Sequence, residues 1–289
     1  MKKFDILADT TSDLKKSWYI ANDAQYAKHA YVIDGEEVWD DCGNVDPQDI
    51  FRRIRAGEKP STIQVKLEDF VDIFTNSCKN GLDIIYVGFS SALSGTYATS
   101  QMAAKMVMET YPERRVICID SVAATMGQGI LVMEAVRLRD QGMSAEEAGK
   151  ILEEKKYQVC HYFTVDDLNH LYRGGRLSKT SAVVGTLMGI KPVMYLNEEG
   201  RLAPISKARG RKASMQELVK LVKEHIVEPL AQTIYVAHGD VEDEAAELGK
   251  MMEAAIPGAK IEINQLSPII GIHSGPGTLA VFCWGDKRL

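Results

Sequence analysis

Three short stretches gather hydroxyls and carboxylates in places where a small anion could be met. Asp9-Thr10-Thr11-Ser12, Gly88-Phe89-Ser90-Ser91-Ala92-Leu93-Ser94-Gly95-Thr96 and Asp120-Ser121 each follow an apolar run of strand length. In open α/β sheets, ligands bind outside the carboxyl ends of the strands, so these segments are candidates to converge on one site. The same residue types also fill ordinary turns and helix N-caps, and that reading stands beside the first. Ser94-Gly95-Thr96 is the most specific of the three. Gly95 admits a ligand close to the backbone, and the helix start behind it offers free N–H groups and a dipole that favours an anion. That chemistry suits a carboxylate or a phosphate. The Gly-Lys-Ser/Thr ending of a P-loop is missing, and Gly127-Gln128-Gly129 lacks the third glycine of a dinucleotide fingerprint.

Gly88-Phe89-Ser90-Ser91-Ala92 has the outline of a nucleophile elbow, and Asp240 and His273 follow in hydrolase order. Ala92 replaces the usual second glycine, so an acyl hydrolase using Ser90 or Ser91 is kept as the enzyme alternative. The 6 histidines contain no His-Glu-x-x-His pattern, and no metal site is expected. Most of them read as surface or satisfied core residues. His273 stands apart, within Gly271-Ile272-His273-Ser274-Gly275-Pro276-Gly277. Such a glycine-flanked, rigid loop presents an imidazole without bulky neighbours; a solvated turn histidine is the plainer reading. A basic stretch runs from Arg173-Gly174-Gly175-Arg176 through Lys179 and Lys191 to Arg201–Lys212, with no acid between Gly200 and Lys212. It is either a solvated hairpin and loop or a docking face for an acidic partner or phosphate-bearing ligand.

Apolar runs alternate with helical patterns along the chain. Phe4–Asp9, Asp83–Phe89, Arg115–Asp120, Val159–Val165, Ile190–Asn197, Thr233–Gly239, Lys260–Leu266 and Leu279–Gly285 are predicted strands. Ser94–Tyr111, Ala123–Gln141, Ser144–Tyr157, Ala213–Glu228 and Asp243–Ala255 are predicted helices, with Ser144 and Glu147 as a capping box and Ser94 as a possible cap. This alternation predicts an α/β protein with largely parallel sheets. The length of 289 residues predicts two domains, divided near Tyr157 into residues 1–157 and 158–289. Apolar residues at 45% and charged residues at 26% exclude disorder, and a net charge of −6 with few aromatics near the basic stretch argues against nucleic acid. The 5 cysteines, widely spaced and odd in number, signal neither a disulfide framework nor a zinc ribbon and suit a reducing cytoplasm. The start lacks the apolar core of a signal peptide. The long uncharged stretch Asn264–Gly285 is interrupted by Pro268, Pro276 and several glycines, so no membrane span is expected.

Taken together, these motifs resemble the DegV family of bacterial fatty-acid-binding proteins over nearly the whole length. The resemblance rests on Ala8-Asp9-Thr10-Thr11-Ser12-Asp13-Leu14, Ser90–Tyr97, Asp120-Ser121 and Asp167-Leu168 with Leu171–Ser178. Gly189-Ile190-Lys191-Pro192, Lys207-Ala208-Arg209-Gly210 and Gly271–Gly277 complete it. It implies two α/β domains with a ligand tunnel at their interface that encloses a long-chain fatty acid. Thr62, Ser94, Gly95 and His273 are implied around the carboxylate. It further implies a non-catalytic, cytoplasmic lipid-presenting subunit. A separate ATP-dependent fatty acid kinase subunit would convert the held carboxylate to acyl phosphate for phospholipid synthesis, with no cofactor beyond the bound lipid. Arg173 and Arg209 fall in the motifs of the family's partner-facing basic residues. A lipid-sensing regulatory protein is the remaining alternative. Pro60-Ser61-Thr62-Ile63-Gln64 departs from the family's usual Thr-Ser-Gln after proline, Ile63 removing one hydroxyl, and Asn22–Tyr31 lacks its Val-Pro-Leu pattern. Apolar candidates to line the tunnel are Met126, Ile130, Val183, Leu187, Met188 and Ile270.

Overall fold

The computed structural model describes residues 2–178 and 189–288. The chain forms two compact units. The first comprises Met1–Val32, Glu36–Asn44 and Thr62–Lys156; the second comprises Ile33–Gly35, Val45–Ser61 and Tyr157–Leu289.

In the first unit, β1 (Phe4–Asp9), β2 (Gln25–Ala27), β6 (Asp83–Gly88) and β7 (Val116–Asp120) form a four-stranded sheet in the order β2-β1-β6-β7. Every pairing in it is parallel. β1 is buried along its whole length, as expected of a strand covered on both faces. Alternation along the strands sends Leu7, Ile84, Tyr86 and Val116 into one cluster with Phe70, Phe74, Ala103 and Val107 of the helices Leu67–Lys79 and Thr96–Thr110. The helices Met126–Asp140 and Ala145–Lys155 pack on each other, and the predicted Ser144/Glu147 capping box opens the second of them. A smaller sheet is made by β3 (Ala30–Ile33), β4 (Glu36–Trp39) and β5 (Ser61–Ile63), in the order β4-β3-β5.

The second unit carries β8 (Val159–Thr164), β9 (Ile190–Leu196), β10 (Leu202–Arg209), β11 (Thr233–His238), β12 (Lys260–Gln265) and β13 (Leu279–Trp284), in the order β10-β9-β8-β13-β11-β12. The expectation of largely parallel sheets holds for the four-stranded sheet of the first unit and is corrected here. β11 and β12, joined through the helix Glu242–Ala255, are the parallel pair; the other pairings are antiparallel. The causes are local. β9 and β10 are joined by a tight turn closed from the Gly200 N–H to the Asn197 carbonyl at 2.9 Å, which forces a hairpin. β13 then returns between β8 and β11 against both directions. Strand–helix alternation reports connections, not sheet order, so it could not distinguish these cases.

Two further differences matter for the site. The helix Pro47–Arg55, capped by the Asp46 side chain, was not expected and belongs to the second unit, where Phe51 packs against Gly239 and Gly271. A Cβ on Gly271 would lie 2.6 Å from the Phe51 ring, so only glycine lets the helices meet this closely. The segment read as a rigid loop around His273 is instead a short helix, Pro268–Ser274, started by its proline and ended at Gly275, where φ is 78°. Among the described residues no helix is long and apolar enough to cross a membrane.

Candidate functional site

Asp9 closes β1 and opens a single 3-10 turn, Thr10–Ser12. Its carboxylate is fully buried and accepts the Thr11 backbone N–H at 3.1 Å, the Tyr86 hydroxyl at 2.6 Å and Gln128 Nε2 at 3.3 Å. Gln128 also donates to the Val87 carbonyl at 3.0 Å, tying β6 and the helix Met126–Asp140 to the loop. Gly129 is needed beside it, because a Cβ there would lie 2.8 Å from the Ser12 carbonyl. The Gly127-Gln128-Gly129 segment thus buttresses the loop after β1.

From this anchor a chain of polar groups runs to the Ser94 loop. Thr10 Oγ1 accepts the His29 backbone N–H at 3.2 Å and stands 3.4 Å from His29 Nδ1. His29 Nε2 is 3.1 Å from Thr96 Oγ1, which is 3.0 Å from Ser94 Oγ. The Thr96 backbone N–H donates to Ser94 Oγ at 3.3 Å, so Ser94 reaches the first turn of the helix from just outside its Gly95 N-cap. Thr10, His29 and Thr96 are buried, Ser94 is half-buried and Gly95 is exposed, so the chain begins in the core and ends at the surface. Burial pushes the His29 pKa below its ordinary value against the pull of Asp9, whose Oδ1 lies 3.9 Å from Nδ1. The imidazole is therefore neutral at pH 7.

The Ser94 loop is held by its own backbone. The Leu93 and Ser94 N–H groups donate to the Ser90 carbonyl, and the Ser90 N–H donates to Ala123. Gly95 faces the segment that carries Thr62: a Cβ on Gly95 would lie 2.6 Å from Gln64 Oε1, and Gln64 Nε2 donates to Thr99 Oγ1 at 3.2 Å. β5 and the start of the helix Thr96–Thr110 are thereby fastened together, with Thr62 and Ile63 half-buried on β5. Ser90 is buried and Ser91 exposed. His29 is the sole histidine in the first unit's sequence, and its ring serves Thr10 and Thr96.

In the second unit, His273 lies half-buried in the last turn of the helix Pro268–Ser274. Its Nδ1 would be 2.5 Å from a Cβ on Gly174. Arg173 ends the short helix Asn169–Arg173, exposed, with its guanidinium 3.1 Å from His170 Nδ1; burial and that guanidinium push His170 below the ordinary histidine pKa. Arg209, also exposed, ends the edge strand β10 opposite Ile190. Nearby cations are already engaged: Lys191 pairs with Asp166 at 2.7 Å, and Arg211 pairs with Glu244 at 2.5 Å. Asp240 is bonded to Arg55. Met126 and Ile130 are buried and Ile270 half-buried, while Lys179, Val183, Leu187 and Met188 lie outside the described residues. Among the described residues no cluster of His, Cys, Asp and Glu could hold a metal ion.

Sequence reasoning singled out Ser94 and Gly95 but passed over His29, Thr96 and Gln128, which hold them. Gln128 carried one visible signal, its place between Gly127 and Gly129, whereas His29, between Lys28 and Ala30, carried none.

The family model described as "Uncharacterised protein, DegV family" matches residues 3–285. A DegV domain-containing protein of Clostridium perfringens is 42% identical over 289 residues, covering 100% of this chain and 99% of the relative. A DegV family protein from Thermus thermophilus, described by its fatty acid binding, superposes with a TM-score of 0.86 at 28% identity, over 99% of this chain and 100% of that one. DegV of Bacillus subtilis, described as a fatty acid binding protein, gives a TM-score of 0.84 at 27% identity, again over 99% and 100%.

Proposed function

This chain belongs to the DegV family, and from that premise we propose that it binds one long-chain fatty acid and presents the carboxylate to a separate ATP-dependent kinase subunit, which converts it to acyl phosphate. The chain itself supplies no catalytic residue in this reading. Thr62, Ser94, Gly95 and His273 hold the head group, and Arg173 and Arg209 meet the kinase. The fatty acid binding of the Thermus thermophilus and Bacillus subtilis relatives supports the ligand class.

The observation that carries this reading is the termination of a buried, uncharged hydrogen-bond chain at Ser94, beside the exposed Gly95 and the start of a 15-residue helix. A carboxylate needs donors when it leaves water, since a buried unpaired charge is very costly. Hydroxyls, backbone N–H groups and a helix dipole supply them without a neutralising cation. An arginine clamp would hold the carboxylate as an ion pair and blunt it as a nucleophile; the neutral set leaves its oxygens able to attack a phosphoryl group. The acyl tail supplies the affinity. About 14 methylenes at about 0.8 kcal/mol each give a gross driving force of about 11 kcal/mol, of which association and chain ordering cancel a sizeable part. The remainder fits micromolar or tighter binding.

The test is a titration of delipidated protein with a long-chain fatty acid, followed by ATP and a fatty acid kinase subunit. Saturation at one lipid per chain and acyl phosphate formed only when all components are present are expected. Failure to bind any fatty acid would refute the ligand. Labelling of Ser90 or Ser91 by a fluorophosphonate would replace the carrier with a hydrolase.

A further inference from the structure

We propose that His170 is a positioning residue with two roles in the second unit: its ring seats the segment that carries His273, and its Nδ1 holds the guanidinium of Arg173. The inference rests on the roles given to His273 and Arg173 under the proposed function. It adds to them a residue that falls between Asp167-Leu168 and Leu171–Ser178, outside the stretches that carried the family resemblance.

The helix Asn169–Arg173 is short and is set by its own ends. Asp167 Oδ1 accepts the Asn169 N–H at 2.9 Å at its start, and the Gly174 N–H donates to the His170 carbonyl at 3.0 Å at its end. Leu168 and Leu171 are its buried anchors. His170 and Arg173 stand three residues apart, the spacing that makes side chains neighbours on a helix surface. Arg173 Nη2 lies 3.1 Å from His170 Nδ1. A guanidinium can only donate, so Nδ1 accepts, and the neutral ring carries its one N–H on Nε2. Nε2 lies 4.0 Å from Asp167 Oδ2, which favours that tautomer.

The Cγ–Cδ2 edge of the ring meets the segment that follows the helix Pro268–Ser274. A Cβ on Gly275 would lie 2.4 Å from His170 Cδ2 and 2.6 Å from Cγ, so the imidazole occupies the place a side chain would take. The backbone beneath it is fixed. The Gly275 N–H donates to the Gly271 carbonyl at 2.8 Å, and the Gly275 carbonyl accepts the Thr278 hydroxyl at 2.9 Å. His273, two residues earlier, fills the corresponding place at Gly174. Each segment thus sets a histidine against a glycine of the other, and the His170 carbonyl closes the turn that makes room for His273.

An imidazole meets both demands where other side chains meet one. A carboxylate at this position would pair with Arg173 and cancel the charge an acidic partner needs, as Asp166 does for Lys191 at 2.7 Å. A neutral ring nitrogen fixes the guanidinium and leaves its charge intact. Burial and the guanidinium keep the ring neutral at pH 7, against the pull of Asp167. An apolar ring would fill the place at Gly275 but accept nothing from Arg173.

Two substitutions divide the roles. His170→Phe refills the place at Gly275 and loses the acceptor. It is expected to bind fatty acid within about twofold of the natural chain and to raise the half-saturation concentration of a kinase subunit as Arg173→Ala does. His170→Asn keeps an acceptor near the Nδ1 position and empties the place at Gly275. It is expected to keep that half-saturation concentration and to bind fatty acid as weakly as His273→Ala. Side-chain NMR of the same variants, without lipid or kinase, reads the two positions directly. The Arg173 Nε–H resonance should move in His170→Phe and stay in His170→Asn, and the His273 ring resonances should do the reverse. Resonances unmoved in both variants would overturn the proposal. So would resonances of both residues moved alike in each variant, the sign of a general structural loss. A natural chain that binds no fatty acid would overturn the proposed function, while the resonances would still decide whether His170 holds the two side chains.

Discussion

Gly174 stands so close to His273 that a Cβ on it would lie 2.5 Å from the imidazole Nδ1 and 3.4 Å from Cε1. Ordinary carbon contacts are close to 3.5–4.0 Å, so the motif Leu171-Tyr172-Arg173-Gly174-Gly175 spends its first glycine on room for a histidine more than ninety residues away in sequence. Gly174 itself has ordinary helical backbone angles, φ −70° and ψ −9°. Its requirement is therefore for space and not for conformation.

Gly174→Ala should displace His273 without breaking the fold. Overpacking of this kind costs about 1–3 kcal/mol. Fatty acid affinity is expected to drop to the level of His273→Ala, and the double variant to bind no worse than either, since both act on one contact. Isothermal titration and thermal melts of the three variants check this. Additive losses would show that Gly174 acts elsewhere.

Ser94→Ala removes the last hydroxyl of the chain and one donor for the carboxylate. A hydrogen bond to a charged group contributes about 1.5–3 kcal/mol, so the dissociation constant should rise roughly 10- to 150-fold. Thermal stability should change little, because Ser94 is half-buried and water can replace it. An affinity within twofold of the natural chain would remove Ser94 from the head-group site.

Arg173→Ala should leave lipid binding intact and slow acyl phosphate formation with a kinase subunit. Arg173 is exposed, and its guanidinium stands beside His170, so its loss disturbs no core packing. Steady-state kinetics with varied kinase concentration read the effect as a raised half-saturation point. Unchanged kinetics would contradict the docking role.

Glu134 sets part of the acid limit of stability. It is 7% exposed and receives two hydrogen bonds from Arg137 and one from Lys155, each at 2.7 Å. Burial pushes its carboxyl up, but those bonds overcome it and hold the pKa below the ordinary glutamate value. A lowered folded pKa stabilises above the unfolded value of about 4.3, and the contribution is lost as pH falls through the folded value. Glu134→Gln should therefore cost about 1 kcal/mol at pH 7, modest because its partners reach solvent, and nothing in strong acid. Denaturant melts at pH 7 and near pH 3 test this, and an equal loss at both would refute it.

Much of the framework was legible because it is written in local patterns. β1, β8, β11 and β13 begin where their apolar runs begin, and the Ser144/Glu147 box marks its helix start. The helix Pro47–Arg55 escaped because its apolar face is only Ile50, Phe51 and Ile54 amid charged residues. Asp46-Pro47 was its one start signal. His273 was legible as a residue but not as part of a helix, because glycines and prolines around it read as a loop while Pro268 in fact begins a turn of helix. The chain from Ser94 to Thr10 was not legible at all. Its members are spread from Thr10 to Thr96 and meet only when the loop after β1 and the residue leading into β3 are brought beside the helix Thr96–Thr110.

Native mass spectrometry of the purified chain most directly tests the claim that a fatty acid carboxylate is held here. A single mass increment of a long-chain fatty acid, lost on delipidation and restored in the natural chain but weakened in Ser94→Ala, is the predicted result. A chain that stays at its bare mass after purification and after incubation with fatty acids would contradict it.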